Sequence, residues 1–202
     1  MQITKRAKAG ILILLSFLWF GGIACNDPYT IRQKGYFKIE LPKHEYQLFD
    51  KPGYPYSFEY PVYSTVLQDS VFFEDKPENP YWININFPSL NGRIYISYKD
   101  ITQNNFSKLV DDAYKLTYKH STKATAIRDS LMRTDNGITG IFFKVGGNAA
   151  TSRQFFVTDS VKHFLRGALY FDATPNADSL AVVNNFLEED IKHMINSLNW
   201  KN

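Results

Sequence analysis

The stretch RQFFVTDSVKHFLRGALYF, residues 153–171, contains two apolar, aromatic-rich runs that are separated by a short polar segment. Runs of this composition, bounded by turn formers, predict β-strands. The polar segment begins with Asp159 and Ser160, whose side chains favour a chain reversal because they bond to the local backbone. The stretch therefore predicts an antiparallel hairpin, with strands at QFFVT and HFLRGALYF.

The same segment has an alternative interpretation as a catalytic cluster. Asp159, Ser160 and His163 place an acid, a hydroxyl and an imidazole close together in sequence. A nucleophilic site needs its base oriented against the hydroxyl in space, whereas residues adjacent along a tight turn point apart. We therefore interpret the cluster as the turn itself and expect no catalytic residue in the chain.

Runs of similar composition recur along the chain and predict further strands. They are YFKIEL (36–41), YSFEYPV (56–62), YWININF (81–87), RIYISYK (93–99) and GIFFKV (140–145). Helical periodicity predicts helices over 104–120 and 178–198, and more weakly over 124–132. This order predicts an α+β class: a single domain with a mainly antiparallel sheet, packed by helices on both faces.

The last predicted helix has a continuous apolar stripe from Leu180 to Leu198. Asp178 or Ser179 is expected to cap its N-terminus, because short polar side chains accept hydrogen bonds from the first free N–H groups. Glu188 and Lys192 are spaced to pair on its outer face.

Residues 1–24 predict a signal peptide, since Lys5, Arg6 and Lys8 precede an uncharged apolar run. Cys25, the only cysteine of the chain, follows directly and fits a lipid attachment point. Residues 25–34 would then form a short lipidated tether to the membrane and residues 35–202 one globular domain. The alternative is a soluble periplasmic protein with an unused thiol.

The basic balance of the whole chain comes from this leader. The chain has 23 basic and 20 acidic residues, and three of the basic residues but no acidic one lie within 1–24. The remaining chain is therefore neutral. A nucleic-acid surface needs basic charge concentrated in the folded part, so nucleic acid is excluded as a partner.

Two sets of residues are candidates for binding a small ligand or glycan. Trp82, Asn84 and Asn86 share one strand face and would present an aromatic ring beside two amides. Arg153 and Arg166 lie in the two hairpin strands and are candidates for lining a cleft.

Lys119, His120 and Lys123 follow the first predicted helix. Cations favour the negative pole of a helix, so the ordinary interpretation is a stabilised C-terminus. The alternative is a docking patch for an acidic partner. The four histidines are scattered and no metal-ligand spacing occurs in the sequence, so we expect neither a metal site nor a cofactor.

Two resemblances extend this interpretation. YSFEYP and FLEEDIKHMINSLNW resemble the entry strand and last helix of Mog1/PsbP-like α/β/α sandwiches, which implies a fold and no function. Much longer segments, given with the leader and Cys25, resemble the gliding motility lipoprotein GldD family of Bacteroidota. They are KGYFKIELPKHEYQLFD, PYSFEYPVYS, YWININFPSLNGRIYISYKDI, KHSTKATAI and GNAATSRQFFVTDSVKHFLRGALYFDATPNADSL.

The second resemblance implies a lipid-anchored envelope protein, with Cys25 as the attachment point. It implies a requirement in gliding and in the associated type IX secretion system, alongside other gliding lipoproteins and membrane proteins, without enzymatic activity or cofactor. The leading hypothesis is a structural or assembly component that works through protein contacts and faces the periplasm. The alternatives are a periplasmic module for a small ligand or glycan and, less favoured, an unrecognised hydrolase.

Overall fold

The computed structural model describes residues 38–69 and 77–201. The predicted signal peptide, the tether and Cys25 lie outside the described residues. Within these ranges the strands are β1 (Tyr46–Phe49), β2 (Tyr56–Pro61), β3 (Thr65–Gln68), β4 (Ile83–Phe87), β5 (Gly92–Asp100), β6 (Ala124–Arg133), β7 (Thr139–Gly147), β8 (Thr151–Thr158), β9 (His163–Phe171) and β10 (Asn199–Trp200). The α-helices are α1 (Phe106–Tyr118) and α2 (Ala177–Asn196).

Seven of these strands form one sheet in the order β3-β4-β5-β9-β8-β7-β6, and every neighbouring pair is antiparallel. The hairpin predicted from 153–171 is its β8–β9 pair, with Phe155 opposite Gly167. A smaller sheet has the order β1-β2-β10. The predicted α+β class with a mainly antiparallel sheet is confirmed.

The inner face of the large sheet packs against α2 and the small sheet. Strand residues on this face alternate with outward-facing ones, as pleated strands require. The buried strand side chains are Ile83, Ile85, Phe87, Ile94, Ile96, Tyr98, Phe142, Phe155, Val157, Leu165 and Leu169. Leu187 and Ile191 of α2 are almost fully buried against them. Each such side chain contributes about 1.5–3 kcal/mol, so this core holds the domain together.

The outer face packs against α1. Leu109 and Ala113 of α1 contact a cluster that includes Phe143, Phe156 and Phe164, one from each of β7, β8 and β9. The predicted presence of helices on both faces of the sheet is therefore confirmed. The β3–β5 half of the outer face bears polar and aromatic side chains instead.

Two sequence predictions of secondary structure are wrong. Residues 124–132 form strand β6 rather than a third helix. β6 is the edge strand beside β7 and is exposed along both faces, so its polar pattern lacks the alternation of a half-buried strand. Residues 38–41, the described part of YFKIEL, form no strand. Pro42 follows them and has no N–H for a sheet hydrogen bond.

Candidate functional site

A groove of about 450 Å³ lies on the outer face, between α1 and the middle strands of the large sheet. Its lining includes Trp82, Lys119 and Arg166, which the sequence analysis assigned to three different candidate groups. The pairing of β5 with β9 sets Ser97 opposite Arg166, and α1 packs over the adjoining Phe164. The packing therefore unites an aromatic ring and two cations that are far apart in sequence.

Arg166 lies in the floor of this groove and is largely shielded from solvent. Its Nη2 donates a hydrogen bond to Oε1 of Gln154, which also accepts one from Thr117 Oγ1 at 3.2 Å. Within residues 38–69 and 77–201, no acidic oxygen lies within 4.0 Å of the guanidinium. Burial lowers the pKa of Arg166, although the nearby Tyr170 acts in the opposite direction. The site thus contains a largely buried cation that has no carboxylate partner among the described residues.

Gln154 holds the guanidinium in place and is itself fully buried. Its Nε2 has no hydrogen-bond partner among the described residues, while its Oε1 accepts from Arg166 and shares the Thr117 hydroxyl with the backbone oxygen of Ala113. Unpaired buried polar atoms are uncommon in folded proteins, because each loses its bonds to water. The polar environment beneath Arg166 is therefore only partly satisfied.

Three lysines line the groove beside Arg166. Lys99 pairs with Glu78, and Lys115 lies 3.9 Å from Asp112. Lys119 is exposed at the rim, and the described part of the chain places no carboxylate within 4.0 Å of it. The lining of the groove is consequently cationic, with Asp112 as its acidic member.

His120 and Lys123 do not line this groove. His120 lies in the turn after α1, where its backbone N–H donates to Thr117 O at 3.2 Å. Burial and the charge of Arg166 both lower the pKa of His120 below its ordinary value. Lys123 is exposed in the same turn. Of this predicted patch, Lys119 is the residue that faces the groove.

Trp82 forms the aromatic side of the groove. Its Nε1 donates to the backbone oxygen of Tyr98 at 2.8 Å, which fixes the indole orientation. Asn84 and Asn86 continue along β4, opposite Tyr95 and Arg93 of β5. The side-chain oxygens of both asparagines are enclosed and have no hydrogen-bond partner within residues 38–69 and 77–201. Asn86 also lines a separate hollow of about 590 Å³ with Arg93, Tyr95 and Tyr170.

The structure does not bring Arg153 together with Arg166, so these two candidate residues do not line one cleft. Successive side chains of a strand point to opposite faces. Gln154 contacts Arg166 on the outer face, whereas Arg153 points to α2 and places Nε 2.6 Å from Glu188 Oε2. The large sheet therefore separates the two guanidinium groups.

Two acidic groups of α2 are buried, which the sequence did not predict. The predicted pair of Glu188 with Lys192 is confirmed at 2.6 Å, but the Glu188 carboxylate is buried and also binds Lys144 and Arg153, each at 2.6 Å. Asp190 is 1% exposed and accepts from Tyr46 Oη at 3.0 Å. A signal was present, since both acids lie among the core positions of α2. Position on the helix gave the pair with Lys192 but not the partners on other elements.

The segment DSVK is a turn. Oδ1 of Asp159 accepts three backbone N–H groups at 2.9 Å, from Val161, Lys162 and His163. Ser160 has a left-handed φ of 64°. The imidazole of His163 is buried, with Nδ1 2.8 Å from Tyr98 Oη. The hydroxyl and the imidazole thus have different surroundings, as the turn interpretation predicts.

Neither a metal-type cluster nor a membrane-spanning helix is found within the described ranges. No cluster of three or more His, Cys, Asp or Glu side chains suited to a metal ion occurs there. None of the helices in these ranges combines the length and apolar character needed to cross a membrane.

Fold and groove together define an α+β domain that presents a cationic and aromatic surface on one side of its sheet. A family model described as gliding motility lipoprotein GldD matches residues 26–200. The chain therefore belongs to the GldD family of gliding motility lipoproteins, and the resemblance noted in the sequence is confirmed. Membership identifies it as a lipid-anchored protein of the cell envelope that is related to gliding motility.

Comparisons with individual proteins add little. No curated protein matches the chain. Among solved structures, it is similar to the solution structure of cyanobacterial PsbP from Synechocystis sp. PCC 6803, with 11% sequence identity and a TM-score of 0.47. That similarity covers 85% of this chain and 99% of the PsbP chain.

Proposed function

We propose that this protein is a membrane-tethered assembly component of the gliding and type IX secretion machinery. Cys25 carries the lipid, residues 25–34 form the tether, and the domain faces the periplasm. It acts without enzymatic chemistry, through contacts with other gliding and secretion lipoproteins and membrane proteins. The observation that carries this proposal is the outer-face groove, where Arg166 and Lys119 lack carboxylate partners among the described residues.

Such a groove suits docking because it combines charge with apolar area. Trp82, Leu116 and Phe164 line it beside the two cations. Protein interfaces are enriched in aromatic residues and arginine, which together supply buried area and directional hydrogen bonds. A short tether would hold this surface close to its membrane, where envelope partners are concentrated.

The test is a strain that lacks this gene, complemented by the wild type or by Cys25→Ala. Colony spreading and the amount of a type IX cargo in the medium are scored together. We expect the wild type to restore both and Cys25→Ala to restore neither, at equal protein levels. Normal secretion and spreading in the uncomplemented strain would contradict the proposal.

A periplasmic module for a small ligand or glycan is the second candidate. The hollow beside Asn86, Arg93 and Tyr95 favours it, since an amide, a guanidinium and aromatic rings are common groups in sugar binding. Asn86 also offers an enclosed oxygen that has no partner in the described part of the chain. Native mass spectrometry of the protein purified from its own cells tests this candidate. A bound small molecule that Asn86→Ala removes would favour it over the docking proposal.

A further inference from the structure

We propose that the groove binds an acidic segment of a partner protein, with a partner carboxylate on the guanidinium of Arg166. Apolar side chains next to that carboxylate would pack against Trp82 and Leu116. This inference rests on the proposed docking function and specifies the chemistry of the partner.

In the free domain, the hydrogen-bonding capacity and the charge of Arg166 are poorly satisfied by the described residues. A guanidinium has five N–H donors, and among the described residues this one donates a single hydrogen bond, to Gln154. A shielded cation without a counter-charge loses hydration and gains no ion pair in return. An incoming carboxylate would supply the missing charge and accept two parallel hydrogen bonds from the fork of the guanidinium.

The guanidinium of Arg166 is held in place before a partner binds. Gln154 fixes it from below, and Thr117 of α1 bonds to the same Oε1. The β5–β9 pairing sets its strand position opposite Ser97. A preorganised cation loses little conformational entropy on binding, which favours affinity.

The lining of the groove suits a protein carboxylate better than a phosphate. Leu109, Ala113, Leu116 and Phe164 make one side of the groove apolar, and the acidic Asp112 also lines it. A phosphate group leaves apolar walls uncovered and, with its greater negative charge, is repelled more strongly by Asp112. A peptide with one acidic side chain flanked by apolar ones matches both features.

The experiment places a photocrosslinking amino acid at Leu116, whose side chain lines the groove and is 39% exposed. The full chain is expressed in its own cells, and the crosslinked partner segment is mapped by mass spectrometry. The crosslinker is combined with Arg166→Met, Arg166→Lys or Lys119→Glu. Arg128→Met is the matched control, because it removes the same charge from the exposed edge strand β6.

We expect the wild type to capture a partner segment that contains Asp or Glu within a few residues of the crosslink. Arg166→Met reduces capture about tenfold or more, as expected for the loss of a charge-assisted pair. Lys119→Glu, which lies at the exposed rim and leaves the core intact, also reduces it. Arg166→Lys retains part of the capture, and Arg128→Met retains all of it. Replacing the partner's acidic residue by alanine reduces capture by the wild type to the level of Arg166→Met.

Thermal unfolding separates binding from folding. Arg166→Met removes an uncompensated cation, so its melting temperature is expected to equal or exceed that of the wild type. Loss of capture together with a lower melting temperature, without loss in Lys119→Glu, would overturn the inference. Undiminished capture in both variants, crosslinks to lipid or glycan, a mapped segment without an acid, or no capture at Leu116 would also overturn it.

Failure of the inference is distinguishable from failure of the proposed function. If spreading and secretion depend on the gene while capture ignores Arg166, the assembly role stands and the acidic-segment inference fails. If deletion changes neither phenotype while capture depends on Arg166, the groove binds an acidic segment and the assembly role fails.

Discussion

The guanidinium of Arg153 contacts the carboxylate of Glu188 at 2.6 Å between β8 and α2, with both side chains almost withdrawn from solvent. Lys144 and Lys192 bind the other carboxylate oxygen, also at 2.6 Å. Burial alone would raise the pKa of Glu188, but the bonds from these three cations lower it to about 2. One carboxylate thus links the sheet to the helix that covers its inner face.

Glu188→Gln is therefore expected to destabilise the domain in a pH-dependent way. The folded pKa lies below the unfolded one, so the stabilisation is present above the unfolded pKa of about 4.3 and is lost as pH falls towards 2. We expect a loss of about 2–3 kcal/mol at pH 7, in the range for a shift of this size. Urea unfolding at several pH values measures it, and a loss that does not shrink at low pH would contradict the prediction.

The matched control is Glu189→Gln on the same helix. Glu189 has a side chain that is 71% exposed and contacts His44 Nε2 at 3.2 Å. An exposed pair of this kind contributes little, so its substitution is expected to change stability by less than about 1 kcal/mol.

Buried and half-buried tyrosines give the domain a second pH limit, at the alkaline end. Burial is the largest cause that raises the pKa of Tyr46, Tyr56, Tyr63 and Tyr98 well above the usual value, and Asp190 adds to it for Tyr46 and Tyr63. The folded state keeps these protons when the unfolded chain has released them. The contribution of these four tyrosines to stability is therefore constant below about pH 10 and is lost as pH rises above it.

Absorbance of phenolate near 295 nm measures this effect. In urea, all thirteen phenols of the chain should titrate together near pH 10. In the folded protein, at least four should ionise only in step with the loss of circular dichroism. Tyr56→Phe should remove one phenol from that late phase, and a single early titration of the folded protein would refute the prediction.

Gly140 of β7 has no room for a side chain. A Cβ at this position would lie 2.0 Å from the backbone oxygen of Phe156 and 2.9 Å from Val157 Cα. Gly140→Ala must therefore displace the β8 backbone, and we expect it to cost at least about 3 kcal/mol. The urea midpoint of the purified variant measures this cost.

Gly137→Ala provides the comparison. Gly137 has a φ of +77°, but no atom of the described residues other than its own chain neighbours lies within 4 Å of an added Cβ. Backbone strain alone costs about 1–2 kcal/mol there. Equal midpoints for the two alanine variants would show that β8 accommodates the methyl group of Gly140→Ala without difficulty.

The elements that the sequence predicted well have local signals. The β8–β9 hairpin has two aromatic runs on either side of a turn whose Asp159 bonds to three backbone N–H groups. The terminal helix has an apolar stripe of period 3.6, although Asn176 rather than Asp178 or Ser179 caps it. Edge strand β6 has exposed residues on both faces, so it lacks the alternating pattern that would have identified it.

The sequence predicted individual residues of the candidate site, but it did not predict that they lie together. Trp82, Lys119 and Arg166 meet because α1 packs on β9 and because β5 pairs with it. These contacts join segments tens of residues apart, and no local pattern specifies them. Arg153 and Arg166 lie on opposite faces of the sheet because of the strand register. Where a strand has apolar residues on both faces, its hydropathy pattern does not specify that register.

Asp190 of α2 anchors β1 and the residues that precede it. Its carboxylate lies 2.7 Å from His44 Nδ1 and 3.0 Å from Tyr46 Oη, and it also accepts a hydrogen bond from Tyr63. The ring of Tyr46 stacks on His193 at 3.6 Å. One buried acid thus joins β1 and the residues before it to α2.

Asp190→Asn keeps the size of this side chain but removes its charge and replaces one acceptor by a donor. Three donors then compete for one oxygen, and a loss of about 3 kcal/mol is expected for a buried hydrogen-bonded charge. Because the contacts are local, hydrogen exchange should accelerate most in residues 43–49 and in the middle of α2, while β7–β9 stay protected. Tyr63→Phe, which removes a single donor, should cost only about 1 kcal/mol and leave β1 protected. Uniform acceleration across the whole sheet in Asp190→Asn would instead mean that the acid supports the global core and has no special role in holding the entry segment.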